Sequence, residues 1–396
     1  MSCIFCKNIK YFLSVLLLSG LVWCAGGQEP IAARLMRQGF PADYAVKLAI
    51  LQKKHPNWRF HALPVTELEK KYTWQYVLYM ETDHAPSRSL ISGKSTFSAY
   101  FHPVDDKIYD ANCRRASREA TAYFLDPRNF LNEQDIFQFL DLRRSEPVAE
   151  SAVKIALRGT FMEHETLENG YSYAQYLCEL GRIFKIDPIF LASRVRQEQG
   201  INGTMLISGR CGSWLASAFW KSQFGEKNAR ITIKAPEMLF LHKYDGLFNF
   251  FNIEASGNGR FIIYLNGMRE AWRGSPSMSK NWNGSAWNTK WKALYGGTEK
   301  IVRNYIDNYQ NTAYLQKWNV DPRSRSEKGN SRNFWGQYMQ NIGAAFSEGR
   351  NSYQTFKRQN MLDLPFNFLI PVYKNMPEKV SPDPAGGKCV YYRNGK

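Results

Sequence analysis

Two consecutive helical signatures near the middle of the chain, separated only by a short turn, constrain the fold more than any other feature. Tyr173, Tyr176, Leu177, Leu180 and Phe184 recur at helical spacing, which gathers them on one face of an amphipathic helix. Directly after them, residues 187–200 read as a second helix with marked ends. Asp187 suits the N-cap, Pro188 the first helical position, where its missing N–H would be unpaired anyway, and Gly200 a left-handed cap. The two helices are expected to pack as a hairpin. At about 100° per residue, Leu191, Val195 and Glu198 share one narrow stripe of the second helix, while Arg196 and Gln197 project elsewhere. A carboxylate is thereby placed among hydrocarbon.

Burial disfavours the ionised form of that carboxylate, and the negative end of the helix dipole disfavours it further, so both raise the pKa of Glu198. A carboxyl still protonated near neutral pH is a general acid. Arg194, four residues earlier on nearly the same face, opposes this by offering an ion pair. Glu198 is therefore either a proton donor or half of a structural ion pair.

The N-terminus carries Lys7 and Lys10, an apolar run from Tyr11 to Trp23, and the small residues Ala25-Gly26-Gly27. That order predicts a signal peptide over residues 1–27 and an exported protein, in the periplasm, at the cell surface or secreted. The apolar run is shorter than the ~20 residues a spanning helix needs, so retention as a membrane anchor is the lesser alternative. Lipidation at Cys24 is another, opposed by the bulky Trp23 before it. The mature chain keeps Cys113, Cys178, Cys211 and Cys389, spaced too widely for a compact disulfide framework or a zinc site. The net charge is +17, with most of the excess in the second half. Such a surface attracts anionic polymers, including wall glycans, teichoic acids and lipid headgroups, without choosing among them.

Residues 28–146 form an N-terminal α+β unit of unassigned role, with helices over Pro41 to Lys54 and Asn132 to Arg144 and an extended segment from Trp58 to Leu63. A mostly helical domain covers residues 147–356. Its stretch after Gly200 is rich in turn residues and is expected to be irregular and cleft-lining. Ile301, Val302, Tyr305 and Ile306 mark a later helix, and Trp335, Tyr338, Met339, Ile342 and Phe346 another. Residues 357–396, rich in proline, are expected to be an extended appendage. Asn202-Gly203-Thr204 and Asn283-Gly284-Ser285 match a glycosylation pattern but read as turns. No phosphate-cradling glycine loop, serine–histidine arrangement or metal-ligand spacing occurs, so neither cofactor nor metal is expected.

The segments Leu191 to Gly200, Leu206 to Gly209, Phe248 to Ile253 and Gln310 to Val320, in that order, resemble the bacterial glucosaminidase family. Tyr123 to Phe130 resembles a segment upstream of its longer members, and the resemblance covers residues 150–356. It implies a mainly α (α+β) fold, with a lysozyme-like helical catalytic domain and a small β or irregular lobe. It also implies an endo-β-N-acetylglucosaminidase that cleaves the N-acetylglucosaminyl β-1,4 linkage of peptidoglycan, with the catalytic glutamate at Glu198. Two positions depart from the family: Glu254 stands where a glycine usually follows Asn-Ile, and Phe248 where a tyrosine often precedes the Asn-Phe pair.

Hydrolysing a glycoside requires an acid for the leaving oxygen and a second group to stabilise or attack the developing cation. Glu198 fills the first role; Asp245, Glu254 and Glu237 are candidates for the second, as is the substrate's own 2-acetamido group. Phe248, Asn249, Phe251, Asn252, Tyr264 and Trp272 are the expected sugar-binding residues, because aromatic faces stack on pyranose rings and amides bond hydroxyl or acetamido groups. Peptidoglycan glycan strands are the expected partner, and no specific nucleic-acid partner is expected. A non-catalytic wall-binding or assembly protein, motivated by the departures at Glu254 and Phe248, is the second function class. A basic adhesin, whose binding would collapse with salt, is the third.

Overall fold

The protein is described here by a computed structural model that covers residues 29–387 except 66–71, 110–111, 145, 225–236, 238, 258, 280–283, 326–331, 339 and 359. The signal peptide expected at 1–27, with Cys24, lies outside the described residues, as do Asn283, Met339 and Cys389. The fold is mainly helical, with two small sheets among the described residues.

The chain opens with α1 (Ile31–Arg37) and α2 (Ala42–Lys54), the latter where the apolar spacing predicts it. Next come β1 (Arg59–Pro64), α3 (Trp74–Thr82), β2 (Leu90–Ser92), β3 (Ile108–Tyr109), β4 (Cys113–Arg115) and α4 (Arg118–Leu125). Strands β2, β4 and β3 form an antiparallel sheet with β4 in the middle. Residues 132–144 are not the helix the spacing predicts. The Asn132 carboxamide oxygen accepts from the backbone N–H of Gln134 and Asp135, at 3.1 and 3.0 Å, and starts only a 3-10 turn over Asp135–Phe139. Beyond it, Leu140 bridges to Phe368 and Arg143 to Ile186, so tertiary pairing draws the backbone out of the helix.

Strand β1 finds its partner at the far end of the chain. It pairs in parallel with β5 (Asn367–Val372), Phe60 opposite Phe368 and Ala62 opposite Ile370. The described part of the Pro-rich tail is thus no appendage: Phe366, Phe368 and Ile370 are buried, and each such side chain contributes about 1.5–3 kcal/mol. Pro371 fits because a two-stranded sheet consists of edge strands, where a missing N–H is tolerated. The Trp58 ring packs edge-on to Phe137 at 5.4 Å and tilted on Phe368 at 5.1 Å, which joins both ends of the chain in one aromatic core.

Besides a single helical turn at Pro276–Ser279, the further helices among the described residues are α5 (Glu150–Leu157), α6 (Tyr173–Phe184), α7 (Pro188–Gln199), α8 (Cys211–Phe224), α9 (Arg260–Arg273), α10 (Lys290–Asn304), α11 (Ala313–Trp318) and α12 (Ala344–Arg358). Helices α6 and α7 form the predicted hairpin. Ser172 and Gln175 make a reciprocal capping box at the start of α6, and Asp187 Oδ1 accepts from Ile189 N at 2.8 Å at the start of α7. Gly200 ends α7 at φ 69°, ψ −170°, which only glycine adopts without strain.

Helix α8 lies where an irregular stretch is expected. Trp214, Leu215, Ala216, Ala218 and Phe219 put apolar side chains around most of its circumference, so no one-sided period marks it. Helix α12 begins after the position predicted for it. Trp335 and Tyr338 imitate helical spacing, but Gly336 at φ 60° turns the chain there, and the helix starts at Ala344. Among the described residues no helix is long and apolar enough to cross a membrane.

Candidate functional site

Helix α7 sends Leu191 and Val195 into the core and leaves the Glu198 side chain 19% exposed at its C-terminal end. Oε2 of Glu198 accepts from Asn252 Nδ2 at 2.9 Å, and the Tyr338 hydroxyl lies near the same carboxylate. Arg194, the residue expected to compete for this carboxylate, stands 3.7 Å away, beyond hydrogen-bond distance. Its guanidinium fork is engaged with Glu348 of α12, at 3.1 and 3.0 Å, and lies over the rings of Phe190 and Tyr338. The two-point geometry holds the guanidinium on Glu348 and leaves Glu198 only a longer ion pair at 3.7 Å, without a hydrogen bond.

Burial is the largest influence on Glu198 and pushes its pKa up. The Arg194 charge, the hydrogen bond from Asn252 and, least, the nearby Tyr338 hydroxyl pull it down, the Glu348 charge pushes up again, and the balance stays above the usual carboxylate value. Burial also pushes the Tyr338 hydroxyl up, to about 12, so it remains a donor. The arrangement is a carboxyl disposed to hold a proton, partly open to solvent, with the Asn252 amide fixing its orientation.

The loop after α8 is held against α7 by Gln199. Its Nε2 donates to Asn249 O, Phe250 O and Asn252 Oδ1, at 3.0, 3.1 and 2.7 Å. With its oxygen engaged there, the Asn252 amide turns its nitrogen to Glu198. Asn252 sits at φ 50°, which asparagine tolerates; Glu254 sits at φ 57°, which favours the glycine of the family pattern.

Beside Glu198 lies a cavity of about 110 Å³, walled by Arg194, Phe251, Asn252, Glu254, Tyr305 and Tyr338 among others. Glu198 borders it through Asn252 and Tyr338 and does not itself line it. The Tyr305 and Tyr338 rings meet edge-on at 5.2 Å. Gly297 of α10 admits the Phe251 ring, which a Cβ there would strike.

The other sequence-predicted residues fall outside this cavity. Asn249 is fully buried, with its amide nitrogen on Ile253 O and Gly267 O and its oxygen accepting from Ile253 N, so it braces the loop from behind. Asp245 accepts from Ser213 N at 2.8 Å and from the Ser213 hydroxyl, and thereby caps the start of α8. Glu237 is gripped by Arg269 and accepts from the Tyr244 hydroxyl at 2.9 Å, which pulls its carboxyl below the usual value. Phe248 lies against Gly209, Tyr264 packs edge-on to Trp214 at 5.1 Å, and Trp272 is half exposed beside Lys243.

Sequence reasoning missed Glu348, Tyr305 and the hydroxyl of Tyr338. Glu348 carries the same signal that marked Glu198, a carboxylate among the inward positions Ala345, Gly349 and Tyr353 of an amphipathic helix. The misplaced start of α12 hid it. Among the described residues no group of His, Cys, Asp and Glu is gathered to hold a metal ion.

No family model matches the sequence, and no curated protein is similar to it. Among solved structures the chain is similar to S. aureus glucosaminidase B, at 18% identity over 82% of this chain and 97% of that one, with a TM-score of 0.46. It is also similar to a major bifunctional autolysin, at 15% identity over 80% and 97%, TM-score 0.43. A third is a catalytic-mutant structure of S. aureus autolysin E in complex with the disaccharide NAG-NAM, at 16% identity over 73% and 99%, TM-score 0.38.

Proposed function

We propose that the protein is an exported glycoside hydrolase that cleaves the N-acetylglucosaminyl β-1,4 linkage of peptidoglycan glycan strands, with Glu198 as the general acid. The observation that carries this reading is the diversion of Arg194 to Glu348. It leaves a proton-holding carboxyl at a partly open position, as protonation of a glycosidic oxygen requires. The ordered sequence segments that resemble the glucosaminidase family support the same choice of residue. For the second role, Asp245 and Glu237 are engaged as a helix cap and an ion pair, whereas Glu254 is exposed in the cavity wall. Glu254 as base or nucleophile and the substrate's 2-acetamido group are the two routes that fit.

The test is mass spectrometry of a peptidoglycan digest made with mature wild type beside Glu198→Gln. Wild type releases fragments with reducing N-acetylglucosamine ends, and the variant loses about 10²–10⁴-fold of that rate while remaining folded. A variant that keeps most of its activity would place the acid elsewhere.

The engagement of Asp245 and Glu237 also favours a second reading, a wall-binding or assembly protein without turnover. Co-sedimentation with insoluble peptidoglycan and no soluble fragments would select it. On either reading the basic surface assists association with anionic wall polymers or the membrane surface, and residues 1–27 direct export.

A further inference from the structure

The outward face of α2, in the N-terminal unit, is apolar and basic at once. Tyr44, Ala45, Leu48, Leu51 and Gln52 turn inward, while Val46 and Ile50, one turn apart, are 57% and 66% exposed. At about 100° per residue Ile50 stands at the centre of that face, with Lys47 and Lys54 to one side and Val46 and Lys53 to the other. Helix α1 packs alongside, its Arg34 guanidinium donating to Gln52 Oε1 at 3.0 Å. Single apolar side chains are scattered over any surface, but a neighbouring pair set among lysines is a patch.

The positive charge is local as well. Residues 29–59 hold six Lys+Arg against two Asp+Glu, whereas residues 60–200 hold 17 against 20. Both acids of the first stretch are engaged, Glu29 by Arg37 and Asp43 by Arg128 at 3.3 Å. Arg34, Lys47 and Lys53 have no acidic partner among the described residues; Lys47 is steadied only by the Arg128 carbonyl, at 2.7 Å. An anionic polymer dissolved in water would satisfy these cations and leave Val46 and Ile50 wet. A bilayer interface takes both, since acidic headgroups meet the long lysine stems and the acyl boundary receives the aliphatic pair. The order of the chain brings the face to such a surface. The apolar run Tyr11 to Trp23 ends seven residues before Ile31, a reach of at most about 30 Å, so α1 and α2 follow closely on a segment that enters a membrane.

The geometry points to the outward face of α2 as a docking surface for an anionic lipid bilayer, with Val46 and Ile50 entering the headgroup–acyl boundary and Lys47 and Lys53 resting on acidic headgroups. The N-terminal unit thereby gains a role. It is independent of Glu198 and of the reaction proposed for it.

The experiment is co-sedimentation of the mature chain with sucrose-loaded phosphatidylcholine vesicles, with and without phosphatidylglycerol. Wild type pellets with the mixed vesicles and much less with phosphatidylcholine alone. Val46→Ser with Ile50→Ser removes the apolar pair without changing charge, and weakens that partition about tenfold. Val104→Ser, at an 84% exposed valine elsewhere, leaves it unchanged. Lys53→Gln weakens it about fivefold, an effect that fades as salt rises. These are surface changes, so urea midpoints equal to wild type check that each variant is folded. If wild type does not pellet with phosphatidylglycerol, the inference falls. Pelleting that Val46→Ser with Ile50→Ser leaves intact, and that soluble polyphosphate abolishes, would assign the lysines to a phosphate polymer and equally overturn it.

Discussion

Glu198 sits at the end of α7 with a fifth of its side chain in contact with solvent, whereas Glu81 of α3 is fully enclosed against an equally enclosed Lys317 of α11, 3.6 Å away. Burial raises both carboxyls above their usual value. In the Glu81 pair it also lowers Lys317, so both members are drawn toward neutrality, and Gln337 donates to Glu81 at 2.6 Å. Glu237, with Arg269 gripping it, is pulled the other way. A raised carboxyl is thus not a site in itself. What separates Glu198 from Glu81 is access, and what separates it from Glu237 is that its nearest guanidinium is held by another acid. Glu81 and Lys317 tie the N-terminal part of the chain to α11; Glu198 stands partly open to solvent, beside the cavity that Asn252 and Tyr338 line.

The largest effect that would sharpen this contrast is on stability. Glu81→Leu leaves Lys317 buried without its counter-ion, with only the Arg88 carbonyl and the Gln337 amide oxygen to receive it, and should cost about 3–5 kcal/mol in denaturant unfolding, while Glu81→Leu with Lys317→Met together should recover most of that. A single variant as stable as wild type would show that the pair is not coupled. A several-fold effect is expected from Glu348→Gln. It releases Arg194 toward Glu198 and removes a like charge, and both changes lower the Glu198 pKa. The alkaline limb of the rate–pH profile should move to lower pH, with activity falling at neutral pH and little changed in acid; a stationary limb would deny Glu348 its positioning role.

The smallest effect is on the pH dependence of folding. Because the folded-state pKa of Glu198 is raised, the native state binds the proton more tightly than the unfolded chain. Its contribution is fully present below the unfolded value of about 4.3 and is lost as pH rises through the folded value. Glu198→Gln should therefore be more stable than wild type at pH 7 and not at pH 4, as read by urea midpoints. The reverse order would mean that the ionised form is the one the site favours.

Much of this corner was legible in the sequence because its signals are local. The caps and apolar spacing of α6 and α7 lie within the helices themselves, and the inward stripe of α7 identifies Glu198 without knowledge of its neighbours. The destination of Arg194 was not legible, since Glu348 is 154 residues away. Helix α8 was hidden for two reasons: it is apolar on most sides, and its cap arrives from Asp245 in a distant loop. Asn249 and Asn252 look alike in the sequence, yet one braces the loop from inside and the other faces the acid. Amide direction is decided by the surrounding hydrogen bonds, which no spacing encodes.

The parallel pairing of β1 with β5 makes this sheet wait for the synthesis of residues 367–372. As the chain leaves the ribosome, the strand at residues 59–64 stays unmatched until residues 367–372 emerge, and its neighbour Trp58 stays without its aromatic cover. Closing so long a loop adds little to the equilibrium cost, which grows only logarithmically with length, but contacts this distant slow the search. A transcript cut short would yield a product with a wet, sticky edge near its start, a ready substrate for chaperones and proteases.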